Sequence, residues 1–67
     1  MKVQYIGDNK RLFNSTGEAY LGEETINIYL DKEVELLDAD FNPTTRSEIS
    51  IDNLKDFLDN WERTEWW

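Results

Sequence analysis

The stretch Glu24–Leu30, "ETINIYL", carries the clearest fold signal in this chain of 67 residues. Its apolar residues Ile26, Ile28 and Leu30 alternate with more polar neighbours, and such alternation indicates a half-buried β-strand. β-Branched and aromatic residues dominate the stretch, and these residue types favour strands. The pattern therefore predicts a strand that places one face on the core and Tyr29 on the other face.

Further strands are predicted before and after this one. Residues 2–7, "KVQYIG", alternate in the same way and then meet a turn signal. A hairpin turn at Asp31-Lys32 is expected to lead into "EVELL" (33–37), where the alternation favours a strand over the helix that Glu and Leu also permit. A turn over 38–47 would then fold "SEISI" (47–51) back as a short last strand.

Residues 10–23 show no clear period. Gly17 and Gly22 indicate a loop-rich passage. Its apolar side chains are expected to plug the edge of the core, and they are Leu12, Phe13, Tyr20 and Leu21.

The period changes from two to that of a helix near the C-terminal end of the sequence. Apolar residues recur there at spacings of three, four and seven, as on one stripe of an amphipathic helix: Leu54, Phe57, Leu58 and Trp61. Ser50 or Asp52 is the expected N-cap, since both residue types accept backbone hydrogen bonds at helix starts. The pattern predicts one helix that includes Trp61.

These elements predict a single domain over residues 1–67 with an α+β fold. It would contain a small antiparallel sheet of three or four strands and one C-terminal amphipathic helix packed across one face. The chain is near the size at which one apolar core only just offsets the loss of chain entropy. The predicted core consists of Val3, Tyr5, Ile26, Ile28, Leu30, Val34, Leu36, Ile49, Ile51, Leu54, Phe57, Leu58 and Trp61.

The charge of the chain excludes several functions. It carries 15 acids against 7 bases, a net charge of −8, and residues 18–40 hold eight of those acids against one lysine. Such a surface repels nucleic acids and anionic membranes and attracts basic surfaces. No long apolar run or signal-peptide pattern occurs, so a cytoplasmic location is expected. The predicted partner is a larger basic protein that handles nucleic acid, with no direct nucleic acid and no membrane.

Little in the sequence indicates catalysis or metal binding. Cysteine and histidine, the commonest nucleophile, base and zinc-binding residues, are absent. In "DADFNPTTRSEI" (38–49), Asp38, Asp40 and Asn42 match the first ligands of an EF-hand loop, but Pro43 stands where that loop needs glycine. We therefore predict no enzyme, no cofactor and no metal, and interpret the stretch as a hairpin loop with Asx turns.

Carboxylates and two terminal indoles are the predicted partner-binding groups. Trp66 and Trp67 would add an aromatic anchor, since tryptophan is enriched at interface hot spots. Two plainer interpretations stay open: the acids serve solubility, and the indoles fold back over the core. The carboxylates could imitate phosphates if they lie on one side of the fold, and they are Glu33, Glu35, Asp38, Asp40, Asp52, Asp56 and Asp59.

In size, acidity and lack of catalytic residues the chain resembles the small phage-encoded inhibitors of bacterial defence, of the anti-CRISPR and anti-restriction types. The resemblance is one of class and rests on no motif, so it maps no residue. It implies a cytoplasmic, non-enzymatic inhibitor of the DNA-mimic type that occludes a basic nucleic-acid-binding surface. The alternative is a structural, assembly or accessory protein that self-associates, as a homodimer for example, or docks through an open sheet face bearing Tyr29 and Tyr20. A calcium-responsive domain is a third hypothesis.

Overall fold

The structure is a computed structural model that describes residues 1–65. These residues form an α+β fold with a five-stranded antiparallel sheet and one short helix. The predicted fold class is confirmed, whereas the predicted count of three or four strands is too low. The elements are β1 (Lys2–Tyr5), a 3-10 turn (Lys10–Leu12), β2 (Thr16–Leu21), β3 (Ile26–Leu37), β4 (Pro43–Ile51), α1 (Leu54–Asn60) and β5 (Trp61–Arg63).

The sheet is a four-strand meander to which the last strand returns. Its strand order is β4-β3-β2-β1-β5, so β5 lies beside β1 rather than beside β4. Tyr5 is paired with Trp61 and Val3 with Arg63. Backbone hydrogen bonds from Ile6 to Asn60 and from Thr64 to Lys2 extend this pairing at both ends, at 2.7 and 3.0 Å.

β3 runs through the predicted hairpin turn at Asp31-Lys32, so that prediction is wrong. The β3–β4 register passes from Tyr29↔Glu48 directly to Val34↔Arg46. Four residues of β3 therefore lie opposite the single Ser47 of β4, which is a large bulge. The polar pair at 31 and 32 sits in this bulge, and "EVELL" is the outer half of the same strand.

Contacts with β2 hold the first residues of the bulge, Leu30 and Asp31, in position. Leu30 is buried and lies opposite Gly17. The Thr16 hydroxyl donates a 2.7 Å hydrogen bond to the Asp31 carboxylate. These contacts hold the start of the bulge to β2 although its ladder with β4 is interrupted.

β2 occupies the segment that was predicted to be loop-rich. Its core-facing residues are Gly17 and Ala19, which are buried but too small to create an apolar alternation. A Cβ at Gly17 would come within 2.5 Å of the Tyr29 carbonyl oxygen. Glycine is therefore needed at this position because two strands approach closely, and it does not mark a loop.

Most of the predicted core is confirmed. The buried apolar residues are Val3, Tyr5, Leu12, Ala19, Ile26, Ile28, Leu30, Phe57 and Trp61. Four predicted members pack against them only in part, namely Val34, Leu36, Ile49 and Ile51. Leu54 and Leu58 are exposed, so their assignment to the core is wrong.

The helix is shorter and less amphipathic than predicted. Asn53 is its N-cap, not Ser50 or Asp52, because its side chain accepts the backbone N–H groups of Lys55 and Asp56. Phe57 is its only buried residue. Trp61 has extended dihedrals, φ −130° and ψ 133°, and begins β5.

Trp61 leaves the helix because β1 offers it a better environment. As a strand residue it lies opposite Tyr5, and the two rings meet edge to face with centroids 5.1 Å apart. Such an aromatic pair stabilises by about 0.5–1.5 kcal/mol beyond its buried area. Pairing with β5 also satisfies the outer backbone groups of β1, which a longer helix would leave without partners. Within residues 1–65, no helix has the length and apolar character needed to cross a membrane.

Two substitutions test this description of the core. Ile28→Val should lower the free energy of unfolding by about 0.5–1.5 kcal/mol, because it removes one methylene from a fully buried side chain. Leu58→Ala should change it by less than about 0.5 kcal/mol, since Leu58 is 61% exposed. Urea unfolding followed by tryptophan fluorescence measures both changes. A larger loss for Leu58→Ala would support the long amphipathic helix instead.

Candidate partner-binding site

The tip of the β3–β4 hairpin is built around Asp38. One oxygen of its carboxylate accepts the backbone N–H groups of Asp40 and Asn42, each at 2.9 Å. Its backbone N–H donates to the Asn42 carbonyl, and its carbonyl accepts from Phe41. The interpretation of this stretch as a hairpin loop with an Asx turn is confirmed at Asp38. The Asp38 carboxylate is therefore already engaged in hydrogen bonds within the turn.

Phe41 projects from the same tip. Its side chain is 79% exposed, and its φ of 62° lies in the left-handed region. A bulky aromatic residue seldom occupies that region, which glycine or asparagine normally fills. The hydrogen bonds of Asp38 hold the backbone at and beside Phe41 and so fix the point from which this exposed ring projects.

Two of the predicted carboxylates are already paired with cations. Arg11 Nη1 lies 3.2 Å from the Glu35 carboxylate. Lys55 Nζ lies 3.0 Å from the Asp59 carboxylate, one helical turn away. The hydrogen bond with Asp59, and then its charge, raises the pKa of Lys55. These two carboxylates are thus partly neutralised before any partner arrives.

The predicted carboxylates form two groups along the chain, one before β4 and one after it. Glu33, Glu35, Asp38 and Asp40 lie on the outer hairpin, before β4, whereas the other three follow β4. Glu33 lies in the bulge opposite Ser47, and Glu35 lies opposite Thr45, six residues before the end of β4, or about 20 Å at 3.3 Å per residue. The second group consists of Asp52, Asp56 and Asp59, and Trp66 and Trp67 lie outside the described residues.

A pocket of about 350 Å³ lies where the β2–β3 turn, the end of β4 and the start of α1 meet. We call it the acid-lined pocket. No basic residue contributes to its lining. Four apolar and three acidic side chains do contribute, together with Gly22 and Thr25: Leu21, Ile26, Ile51, Leu54, Glu23, Glu24 and Asp52.

Local sequence explains why apolar groups are exposed at this pocket. Leu21 ends β2 just before a tight turn, in which the Gly22 N–H donates to the Thr25 carbonyl at 2.8 Å. Leu54 begins α1 directly after its cap. The two leucines are 62% and 59% exposed, while Ile26 and Ile51, paired across β3 and β4, form the base. Unlike the core, this apolar surface is open to a partner.

A second pocket of about 460 Å³ continues from the first along β4. Ile51 and Asp52 line both pockets. The second also contains Asp56 and the core aromatic Trp61. Of the predicted carboxylates, Asp52 and Asp56 are therefore brought together, on one strip of mixed apolar and acidic surface.

Two members of the acid-lined pocket, Glu23 and Glu24, escaped the sequence-based prediction as binding residues. Two adjacent acids between strands are usually solvated surface charge. Because residues 10–23 were expected to form a loop, the position of these acids relative to the sheet could not be predicted. The sequence feature that could have indicated a binding site is the apolar Leu21 next to these two acids in one short turn. Recognising it required the position of Leu54, which depends on where the helix begins.

The outer face of the sheet carries an exposed aromatic pair. Tyr20 and Tyr29 lie edge to face with ring centroids 5.4 Å apart, and both side chains are exposed. The expectation that both lie on an open sheet face is confirmed. Glu18 and Glu48 are the cross-strand neighbours of Tyr29, so this patch too is bordered by acids.

Comparison of the chain with protein-family models, curated proteins and solved structures finds no match. Functional assignment therefore depends on the side chains of the chain itself. Among them, the acid-lined pocket best combines a concave apolar surface with unpaired charge, since residues 1–65 contain no ion pair to Glu23, Glu24 or Asp52.

The hairpin tip gives a direct test of its Asx turn. Asp38→Ala removes the acceptor of two backbone hydrogen bonds and should destabilise the tip by about 1–2 kcal/mol. Amide hydrogen exchange at Asp40 and Asn42 should accelerate about tenfold. Asp40→Ala is the control, because that carboxylate makes no hydrogen bond within residues 1–65. Unchanged exchange in Asp38→Ala would show that the turn does not depend on this carboxylate.

Proposed function

We propose that the protein is a non-enzymatic acidic binding module that inhibits a larger protein by occluding its basic, nucleic-acid-binding surface. The observation that carries the proposal is the acid-lined pocket, with its exposed Leu21 and Leu54 beside Glu23, Glu24 and Asp52. The absence of histidine and cysteine from the sequence favours binding over catalysis.

The chemistry of the pocket suits an arginine or lysine side chain. Such a side chain has an apolar stem and a cationic head. The stem would pack between Leu21 and Leu54, and the head would meet the carboxylates of Glu23 and Glu24. A cation bound beside an apolar wall is less hydrated, so its attraction to a carboxylate exceeds that of a surface pair in open water.

The partner's nucleic-acid-binding surface would be occluded because the side chains bound by this protein are the ones that contact nucleic acid. Arginines and lysines of a nucleic-acid-binding groove normally contact phosphates. When carboxylates of this protein hold them, the phosphates of nucleic acid compete for the same cations. The net charge of −8 adds long-range attraction and raises the rate of encounter.

The remaining carboxylates contribute unequally in this proposal. Glu33 and Asp40, on the outer hairpin, form no ion pair within residues 1–65 and add to the steering field. Glu35 and Asp59 contribute less because Arg11 and Lys55 already pair with them. Trp66 and Trp67 remain proposed as an aromatic anchor, on the basis of residue type alone.

The open sheet face supports a second candidate function, docking or assembly through Tyr20 and Tyr29. Exposed tyrosines are frequent at protein interfaces because one ring offers both apolar area and a hydroxyl group. In this alternative, Tyr20→Lys should abolish association while Glu23→Gln/Glu24→Gln leaves it intact. If the partner binds at the acid-lined pocket instead, Glu23→Gln/Glu24→Gln should weaken association and Tyr20→Lys should leave it intact. The same two variants therefore separate the two hypotheses.

A basic peptide with alternating leucine and arginine serves as the probe of the proposed site. The double variant Glu23→Gln/Glu24→Gln should weaken binding of the peptide about tenfold, because its two substitutions remove two negative charges beside the apolar wall of the pocket. Glu33→Gln/Asp40→Asn changes the net charge by the same amount at residues that do not line the pocket and should weaken binding less than about threefold. Isothermal titration at low salt gives both dissociation constants.

Equal loss in the two double variants would show that the peptide responds to net charge alone and would overturn the pocket as the binding site. Salt provides the second check. Raising the salt concentration from about 50 to 500 mM should weaken peptide binding to the unmodified protein, because exposed charges are screened within a few ångströms at high salt. Salt-independent binding would contradict the electrostatic part of the proposal.

A further inference from the structure

β4 is an edge strand with an unusual charge pattern. Its nine residues pair with β3 along one side only, and it is the terminal strand of the sheet in the part of the chain that the structure describes. The residues in its middle, Thr45, Arg46, Ser47 and Glu48, are all exposed. An exposed strand edge presents unpaired N–H and C=O groups, to which another strand can add.

Proteins normally protect such an edge with proline or with charges that repel a second strand. The only proline of β4 is Pro43, its first residue, where it leaves the middle of the strand able to donate hydrogen bonds. The charges in the middle are one arginine and one glutamate, so they do not carry a single repelling sign. A bulge can also protect an edge, but the bulge opposite Ser47 has its extra residues in β3 and not in β4. None of these devices therefore blocks the middle of this edge.

The order of these residues makes the strand complementary to itself. If two copies of β4 run antiparallel and Ser47 lies opposite Ser47, Arg46 of each copy lies opposite Glu48 of the other. Directly opposed residues in an antiparallel pair share one face of the sheet, with Cβ atoms about 5 Å apart. Thr45 lies opposite Ile49 in the same register. Both charge pairs are thus attractive by symmetry.

The charge of the whole chain also favours this edge over the exposed Tyr20–Tyr29 patch for self-association. With Arg46 and Glu48 as its only charged residues, β4 is neutral within a chain of net charge −8. The Tyr20–Tyr29 patch, by contrast, would bring Glu18 and Glu48 of one copy close to the same acids of the other.

We propose that a second copy of this chain binds the β4 edge, by antiparallel pairing of Thr45–Ile49 about a two-fold axis at Ser47. The two five-stranded sheets would then form one continuous sheet. This interface is separate from the acid-lined pocket and does not depend on the proposed function.

Charge reversal tests the register. Arg46→Glu and Glu48→Arg each oppose like charges twice across the two-fold axis, so each variant alone should dimerise about tenfold more weakly. The first raises the magnitude of the net charge to about 10 and the second lowers it to about 6. If general repulsion governed association, Glu48→Arg would instead dimerise more strongly than the unmodified chain.

Two complementary combinations should restore association. An equimolar mixture of Arg46→Glu and Glu48→Arg places glutamates opposite arginines at both positions, and should form heterodimers. The double variant Arg46→Glu/Glu48→Arg keeps the net charge at −8 and should dimerise like the unmodified chain. Sedimentation equilibrium over a range of protein concentration measures each constant, and circular dichroism of each variant confirms that the monomer is folded.

A monomeric unmodified chain at about millimolar concentration would overturn the proposal. So would failure of both combinations to recover association while the single variants remain folded. Because Glu23→Gln/Glu24→Gln leaves β4 unchanged, that variant should retain the dimer. The effect of Glu23→Gln/Glu24→Gln on peptide binding therefore tests the acid-lined pocket alone. The effect of Arg46→Glu on dimerisation tests the pairing of β4 alone.

Discussion

The pairing of β5 with β1 constrains where the helix ends and which strands lie at the edges of the sheet. It brings Trp61 opposite Tyr5, where the two rings meet edge to face, and it places residues near both ends of the described chain side by side in one sheet. In a domain of this size, one buried tryptophan is a large part of the apolar surface that offsets chain entropy. The helix is therefore short because the chain must enter β5 at Trp61.

The exposed surface follows from that constraint. A helix that stops at Asn60 buries only Phe57 and leaves Leu54 and Leu58 in solvent. Leu54 then lies beside the β2–β3 turn and its two glutamates, which creates the acid-lined pocket. The same strand order leaves β4 at one edge of the sheet. The proposed partner site and the proposed self-pairing edge are thus both consequences of the strand order.

Sequence reasoning succeeded where side chains alternate visibly and failed where backbone geometry decides. Ile26, Ile28 and Leu30 identified β3 because their period is unmistakable, whereas Gly17 and Ala19 concealed β2 because a close strand approach needs small residues. The helical stripe that ended in Trp61 was misleading, since local periodicity cannot show that β1 competes for that residue. For the same reason the sequence identified the acidity of the surface and Asp52, but not the grouping of Glu23 and Glu24 with Leu54.

In the proposed function, the acid-lined pocket holds a basic side chain by its apolar stem as well as by its charge. The most direct measurement is an isotope-filtered NOE experiment on the labelled protein bound to the unlabelled leucine–arginine peptide. If the peptide binds in this pocket, we expect NOEs from its arginine methylene protons to the methyl groups of Leu21 and Leu54, as this binding mode requires. Contacts confined to Leu37 and Phe41 at the hairpin, or to Tyr20 and Tyr29 on the outer sheet face, would contradict it.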